Sequence, residues 1–254
     1  MGENGCVLIT GAALRIGRAL ALDLGRRGWP VAVHYHNSEA AAQAVVAAIA
    51  DGGGSAHAVY ADLADAAEAR GLLTRVSQDF GPVTGLINNA SIFHRDDLAT
   101  VTAQFWDDHM AVNLRAPMLL TQAFAAELPA GRSGNVVNMI DQRVWKLNPF
   151  FVSYTTSKAA LWTLTQTLAM ALAPRVRVNA VGPGAILPNE RQSEVQFEAL
   201  HKSIPLQRQP TPDDLCRAVR YLLEADAVTG QMIAVDSGQH LPWPPPDPDS
   251  ASRD

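Results

Sequence analysis

Short, β-rich apolar runs alternate with longer Ala/Leu-rich segments along almost the whole chain, and nothing else in the sequence restricts the fold as tightly. The runs are Cys6–Thr10, Val31–Tyr35, Ser55–Tyr60, Gly85–Asn88, Asn135–Ile140, Arg177–Val181 and Met232–Val235. Between them lie helical stretches such as Gly17–Arg27, Glu39–Ala50, Ala66–Phe80 and Val152–Leu172. A chain that passes through a helix before each new strand returns in the same direction, so the strands pair in parallel. Several runs are apolar at nearly every position, as a strand must be when both of its faces are covered. The expectation is an α/β fold, a doubly wound parallel sheet of seven strands with helices on both faces. Gly28-Trp29-Pro30 and Gly52-Gly53-Gly54 punctuate the first helix–strand junctions. With no internal repeat and no linker, residues 1–241 form one domain in this reading. Pro242–Asp254, rich in proline and small polar residues, is expected to be an extended or disordered tail without a catalytic role.

Composition narrows the partners. At 254 residues, with 48% hydrophobic and 18% charged residues, the chain has the make-up of a folded globule. A net charge of −5 argues against nucleic acid as the main partner, while leaving room for a local basic pocket. The only cysteines, Cys6 and Cys216, form no Cys-x-x-Cys pair and cannot make a disulfide framework. The opening MGENGCVLIT lacks a basic segment and a long apolar stretch, and no run reaches the ~18 apolar residues of a membrane span. A cytoplasmic protein with no membrane contact is expected.

The first strand runs through Thr10-Gly11-Ala12-Ala13-Leu14-Arg15-Ile16-Gly17 into a helix. Glycines there let the backbone approach a diphosphate at a helix N-terminus, where free N–H groups and the dipole favour anions. The second strand ends in His36-Asn37-Ser38, where an NAD-selective site would carry an acid for the ribose 2′-hydroxyl. Together with Arg15, these donors favour a 2′-phosphate, so the cofactor expected is NADPH. Glu39 is the feature that opposes it. His34 and His36 share strand spacing, but no third ligand accompanies them and no metal is expected.

Tyr154 and Lys158, four apart in a helical segment, lie one turn apart on one face. A neighbouring ammonium favours the phenolate, so a lowered Tyr154 pKa and a proton donor near neutral pH are expected. The loop Thr10–Gly17, Asp62-Leu63, Asn88-Asn89-Ala90-Ser91, Asn113, the Tyr154/Lys158 pair and Pro183-Gly184 together resemble the short-chain dehydrogenase/reductase family over about residues 5–241. The resemblance implies a Rossmann-like sheet and an NADPH site. Its contacts would come from Gly11, Arg15, Ile16, Gly17, His36, Asn37, Ser38, Asp62, Leu63, Asn89, Ala90, Tyr154, Lys158, Pro183 and Gly184. It further implies that Asn113 keeps a water or a backbone kink near Lys158, that Lys158 holds the nicotinamide ribose, and that the protein is a homotetramer built on the helix carrying Tyr154 and the C-terminal region.

The departures sharpen the reading. Most of that family carries a serine thirteen residues before the tyrosine, and here Asp141 stands in its place. With Arg15 in the glycine loop and Phe93 in the run Asn88–Phe93, the chain resembles the pteridine reductases of the family. The resemblance implies catalysis by Asp141, Tyr154, Lys158 and Asn113, and substrate contacts from Arg15, Ser91, Phe93, Asp141 and Tyr154. Phe93 would stack on the pterin. Elementary electrostatics points the same way. Ketone reduction builds negative charge on oxygen, and an ionised carboxylate about 4 Å away would oppose it by roughly 4 kcal/mol at an effective dielectric near 20, about a thousandfold in rate. Reduction of a ring C=N instead requires a proton on nitrogen, which a carboxylate can accept from, hydrogen-bond or relay to. The reaction expected is hydride transfer to a C=N bond of a dihydropteridine of dihydrofolate, dihydromonapterin or dihydrobiopterin type. Two alternatives stay open: a carbonyl or 3-oxoacyl reductase in which Asp141 is protonated, and a non-catalytic NADPH-binding sensor. Asp141 turned away to cap a backbone N–H, or Phe93 used only for packing, would favour them. The segment after Gly184, to about Leu206, is expected to be a substrate lid, with Trp145, Leu187 and Pro188 as wall residues.

Overall fold

In the computed structural model, residues 5–187 and 194–242 are described, and Pro188, the centre of the expected lid and the tail beyond Pro242 lie outside them. Seven strands form one parallel sheet in the order β3-β2-β1-β4-β5-β6-β7. They are β1 (Cys6–Ile9), β2 (Val31–Tyr35), β3 (Ala56–Tyr60), β4 (Val83–Asn88), β5 (Gly134–Met139), β6 (Val176–Pro183) and β7 (Met232–Val235). The helices are α1 (Arg15–Arg26), α2 (Glu39–Asp51), α3 (Ala66–Asp79), α4 (Ala103–Met110), α5 (Ala116–Glu127), α6 (Val152–Leu172), α7 (Glu194–Lys202) and α8 (Pro212–Glu224). A π-helical turn at Ala111–Arg115 joins α4 to α5.

Successive residues of one strand enter different cores. Val7 and Ile9 pack with Leu20 and Leu24 of α1, Val45 of α2 and Leu215 and Val219 of α8. Cys6 and Leu8 pack on the other face with Leu72 and Val76 of α3 and Leu120 and Phe124 of α5. A fully buried Leu or Phe contributes about 1.5–3 kcal/mol, which is why these strands can spare no polar face. The helices on the first face are tied together by the half-buried ion pair of Asp23 on α1 with Arg220 on α8.

Strand order runs outward in both directions from the β1/β4 boundary, so the connections leaving their C-terminal ends diverge and open a crevice. Several boundaries differ from the sequence expectation by one or two residues, and two of the differences bear on that crevice. β1 ends at Ile9, because Thr10 turns to bond the end of β4, and α1 begins at Arg15. Arg15 itself has φ of 51°, a left-handed conformation outside the ordinary helical start.

Candidate active site

The glycine loop is held by neutral groups. The Gly11 N–H donates to His34 Nδ1 (2.9 Å), and the other ring nitrogen of His34 pairs with the Ala61 carbonyl (3.0 Å). Burial pulls His34 down to about 4, so the ring stays neutral and its Nδ1 remains an acceptor. Thr10 Oγ1 accepts from the N–H groups of Asn89 and Ala90, each at 2.9 Å, and Asn89 Nδ2 donates to the Thr10 carbonyl at 2.8 Å. This cross-strand knot leaves no room for side chains in the loop. A Cβ on Gly17 would lie 2.2 Å from the Gly11 carbonyl oxygen, and one on Gly11 would lie 3.0 Å from Ala90 Cα.

A cleft of about 390 Å³ opens over this knot, lined by Gly11, Arg15, Ile16, Gly17, His36, Asp62, Leu63, Asn89, Ala90 and Ser91 among others. Backbone N–H groups at the start of α1, the side-chain-free approach at Gly11 and a cation at Arg15 fit a dinucleotide diphosphate. Asn37 and Ser38 lie beside the cleft and do not line it. Pro183 and Gly184, also outside its lining, end β6, where the Gly184 N–H donates to the Val235 carbonyl at 3.0 Å. Glu39, the acid that weighs against a 2′-phosphate, hydrogen-bonds to the Tyr35 side chain.

Tyr154, Lys158, Asp141 and Phe93 are not among the residues that line the cleft; Ser91, on its wall, connects it to them through a hydrogen bond to the Tyr154 side chain. Tyr154 is 6% exposed, and its hydroxyl donates to Asp141 Oδ2 at 3.0 Å. The other carboxylate oxygen of Asp141 accepts from the Arg143 N–H at 2.8 Å. The two roles weighed for Asp141, facing the tyrosine and capping a backbone N–H, are thus filled by its two oxygens. Burial raises the Asp141 carboxyl, opposed by the Arg143 N–H and guanidinium, by Tyr154 and by Lys158.

The expected acidification of Tyr154 is corrected here. Burial and the facing Asp141 carboxylate push the phenol well above its usual range. Lys158 does not offset this, because its ammonium donates to the Met139 carbonyl at 2.8 Å and lies 5.8 Å from the tyrosine ring centre. Lys158 is itself drawn down to about 8 by burial, with Asp141 acting in the other direction. Spacing of four residues put the pair on one face, but it could not show that a strand-end carbonyl would take the ammonium.

Asn113, fully buried in the π-helical turn, does supply a backbone irregularity. Its side chain serves the Ser91 loop, with Oδ1 accepting from Ser91 Oγ (3.1 Å) and Ile92 N–H (3.0 Å), and Nδ2 donating to the Ile92 carbonyl and Ser157 Oγ. The Ser91 hydroxyl also hydrogen-bonds to the Tyr154 side chain. Phe93 meets the edge of Tyr154 at 4.6 Å between centroids, while Phe151 stacks on its face at 4.5 Å with 7° between the planes. Phe151 sits at the start of α6 in a left-handed conformation (φ 60°), its N–H bonded to the Asp96 carbonyl at 2.6 Å. Trp145, 43% exposed, packs on His240 and Trp162, while Leu187 packs partly buried against the α1/α8 core.

Several residues that build this site have roles the sequence does not reveal. His34, Thr10 and Phe151 are among them, as is a buried chain in which Ser153 bonds Asp96 and its Oγ lies 2.7 Å from His109 Nδ1. His109 Nε2 in turn accepts from the His94 N–H at 3.1 Å, fixing the loop that carries Phe93. An Asn-Ala after β4 and a histidine within a strand were the available signals. Neither identifies its partner without the sheet order.

Comparison with known proteins agrees with this geometry. Residues 11–240 match a family model described as enoyl-(acyl carrier protein) reductase. The structure of FolM alternative dihydrofolate reductase 1 from Brucella canis, complexed with NADP, is 49% identical and superposes with a TM-score of 0.92, covering 98% of each chain. An uncharacterised oxidoreductase of Methylorubrum extorquens is 36% identical over 93% of this chain and 98% of its own. The 3-oxoacyl-[acyl-carrier-protein] reductase FabG of Staphylococcus aureus is 34% identical over 92% of this chain and 97% of its own. With the crevice at the β1/β4 switch, the glycine loop at its floor and the Tyr154/Lys158 helix beside it, the chain belongs to the short-chain dehydrogenase/reductase family of oxidoreductases.

Proposed function

We propose that this protein is an NADPH-dependent reductase that reduces a C=N bond of a dihydropteridine of the dihydrofolate, dihydromonapterin or dihydrobiopterin type. The observation that carries the reading is the Asp141 carboxylate 3.0 Å from the Tyr154 hydroxyl, where a carbonyl reductase needs a neutral donor. The relative of known structure whose name denotes dihydrofolate reduction, crystallised with NADP, supports both substrate class and cofactor.

When bound in the cleft, the reduced nicotinamide supplies a hydride. The residues of this chain supply the proton and the geometry. Tyr154 and Asp141 share one proton across their hydrogen bond, and burial favours keeping it on the pair. The Tyr154 hydroxyl is placed to pass the shared proton on to a ring nitrogen, and Asp141, raised by burial, holds that proton within the pair until it is transferred. Lys158 places positive charge below the pair while fixed to the Met139 carbonyl, leaving other ammonium hydrogens for the ribose. Asn113 holds the Ser91–Ile92 loop, and Phe93 offers an aromatic wall at the edge of Tyr154. A homotetramer joined through α6 and the C-terminal segment is part of this proposal, and light scattering on the purified protein reads it.

The FabG relative favours a second reading, reduction of a 3-oxoacyl ketone. The two separate cleanly in one experiment. NADPH oxidation is followed with dihydrofolate, dihydrobiopterin and a panel of 3-oxo esters, for the wild type and Asp141→Ser. Pteridine turnover in the variant is expected to fall about 100-fold, with ketone turnover unchanged or raised. Pteridine rates indifferent to the substitution would remove Asp141 from the mechanism.

A further inference from the structure

Tyr154 is buried, with more exposed groups between it and water. From Asp141 outward, side-chain exposure rises through Arg143 (19% and 25%), then Phe93 (38%) and Phe150 (41%), to the exposed Arg95. Along this path two guanidinium groups lie on two consecutive phenyl rings. Arg143 Cζ is 4.6 Å from the Phe151 ring centre and 5.9 Å from that of Phe93, and Arg95 Cζ is 5.0 Å from that of Phe150. An arginine laid on an aromatic face keeps its in-plane N–H fork, the geometry that grips a carboxylate with two parallel bonds.

The carboxylates nearby do not use up these cations. Arg143 Nε is 4.0 Å from Asp141 Oδ2, at the outer limit of an ion pair. Asp97, the sequence neighbour nearest Arg95 after the buried Asp96, accepts from the N–H groups of Ala99 and Thr100 and from Thr100 Oγ1. Asp96 is buried and bonded to Ser153. Among the described residues Arg95 makes no ion pair within 4.0 Å. In a protein of net charge −5, two cations at the mouth of the reacting pocket run against the overall charge and favour an anion arriving there.

We propose that Arg143 and Arg95, on the Phe151–Phe150 shelf, form a subsite for the tail of the substrate, and that this tail is an aryl group bearing carboxylates. The exposed Phe150 ring takes the aryl group and the two forks take the carboxylates, so the subsite selects a carboxylated pteridine over one with a short neutral side chain. This rests on the pteridine reading above and adds to it which class of pteridine the pocket prefers.

The test compares steady-state NADPH oxidation with dihydrofolate, which carries an aryl-carboxylate tail, and dihydrobiopterin, whose tail is a small neutral diol. The wild type, Arg95→Ala, Arg143→Ala and Arg143→Lys are measured side by side, with thermal unfolding and NADPH affinity recorded for each. The ratio of kcat/KM for dihydrofolate to that for dihydrobiopterin is expected to fall about tenfold in each alanine variant, through KM. Arg143→Lys recovers part of the loss, and added salt lowers the ratio in the wild type more than in the variants. If Arg143→Ala does not fold, Arg95→Ala, at an exposed position, decides the question. Turnover of both pteridines with a ratio that neither variant moves overturns the tail subsite and leaves the pteridine reading standing. No NADPH oxidation by the wild type with either pteridine overturns both.

Discussion

The glycine loop and the Tyr154 cluster, joined through Ser91, are built on opposite principles. Around Thr10–Gly17 the close contacts join backbone groups, hydroxyls, an amide and a neutral imidazole. Around Tyr154 they join a carboxylate, a phenol, an ammonium and a guanidinium. A neutral hydrogen-bonded knot keeps its shape over a wide range of conditions, because none of its members changes charge near neutral pH. A buried cluster of ionisable groups is costly to assemble and responds to every proton. The glycine-loop cleft therefore gains rigidity from its chemistry, and the Tyr154 cluster gains sensitivity to protons.

Four measurements would break or sharpen this contrast. Tyr154→Phe removes the hydroxyl that shares a proton with Asp141. Turnover of the preferred substrate is expected to fall about a thousandfold, roughly 4 kcal/mol, with NADPH affinity by calorimetry moved far less. A comparable loss of affinity would show that the two regions are one unit.

Acid should attack the neutral knot through His34. In the unfolded chain this histidine takes a proton below about pH 6.5, whereas in the fold it does so only near 4. Between those values the unfolded chain binds more protons, so stability falls as pH falls, by up to about 3 kcal/mol at the lower end. Urea unfolding at several pH values reads this, and His34→Gln should flatten the slope.

Thr10→Val removes the acceptor of two half-buried N–H groups and should cost about 2 kcal/mol of stability, with weaker NADPH binding and a nearly constant kcat. The smallest effect is expected from Phe93→Leu. Loss of the aromatic wall should raise KM severalfold, about 1 kcal/mol, without shifting the pH profile set by Asp141 and Tyr154. A shifted profile would mean that Phe93 and Phe151 also control how dry the proton-sharing pair is.

The helix Val152–Leu172 and the strands β2 and β7 are legible in the sequence to the residue, because long apolar or Ala/Leu-rich segments leave little choice of structure. Asp141, Tyr154, Lys158 and Phe93 were recognisable as a set through spacing and through what stands where the family has serine. Their partners were not. Which group faces the phenol depends on the stagger between β5 and α6, and the Lys158 contact with Met139 crosses that boundary. The Phe151 stack on Phe93 depends on a left-handed residue at the start of α6, in a phenylalanine that no local rule places there.

By itself the sequence determined the sheet, its two covered faces and the residue types available for chemistry, since these follow from periodicity and side-chain properties counted along one chain. Tertiary structure alone decided that Tyr154 is held protonated beside a carboxylate instead of being acidified by Lys158, and that His34 is a neutral brace for the glycine loop. The physical reason is shared: proton affinity is set by burial and by the nearest charge or hydrogen-bond partner. Those neighbours come from strands and helices far apart in the chain.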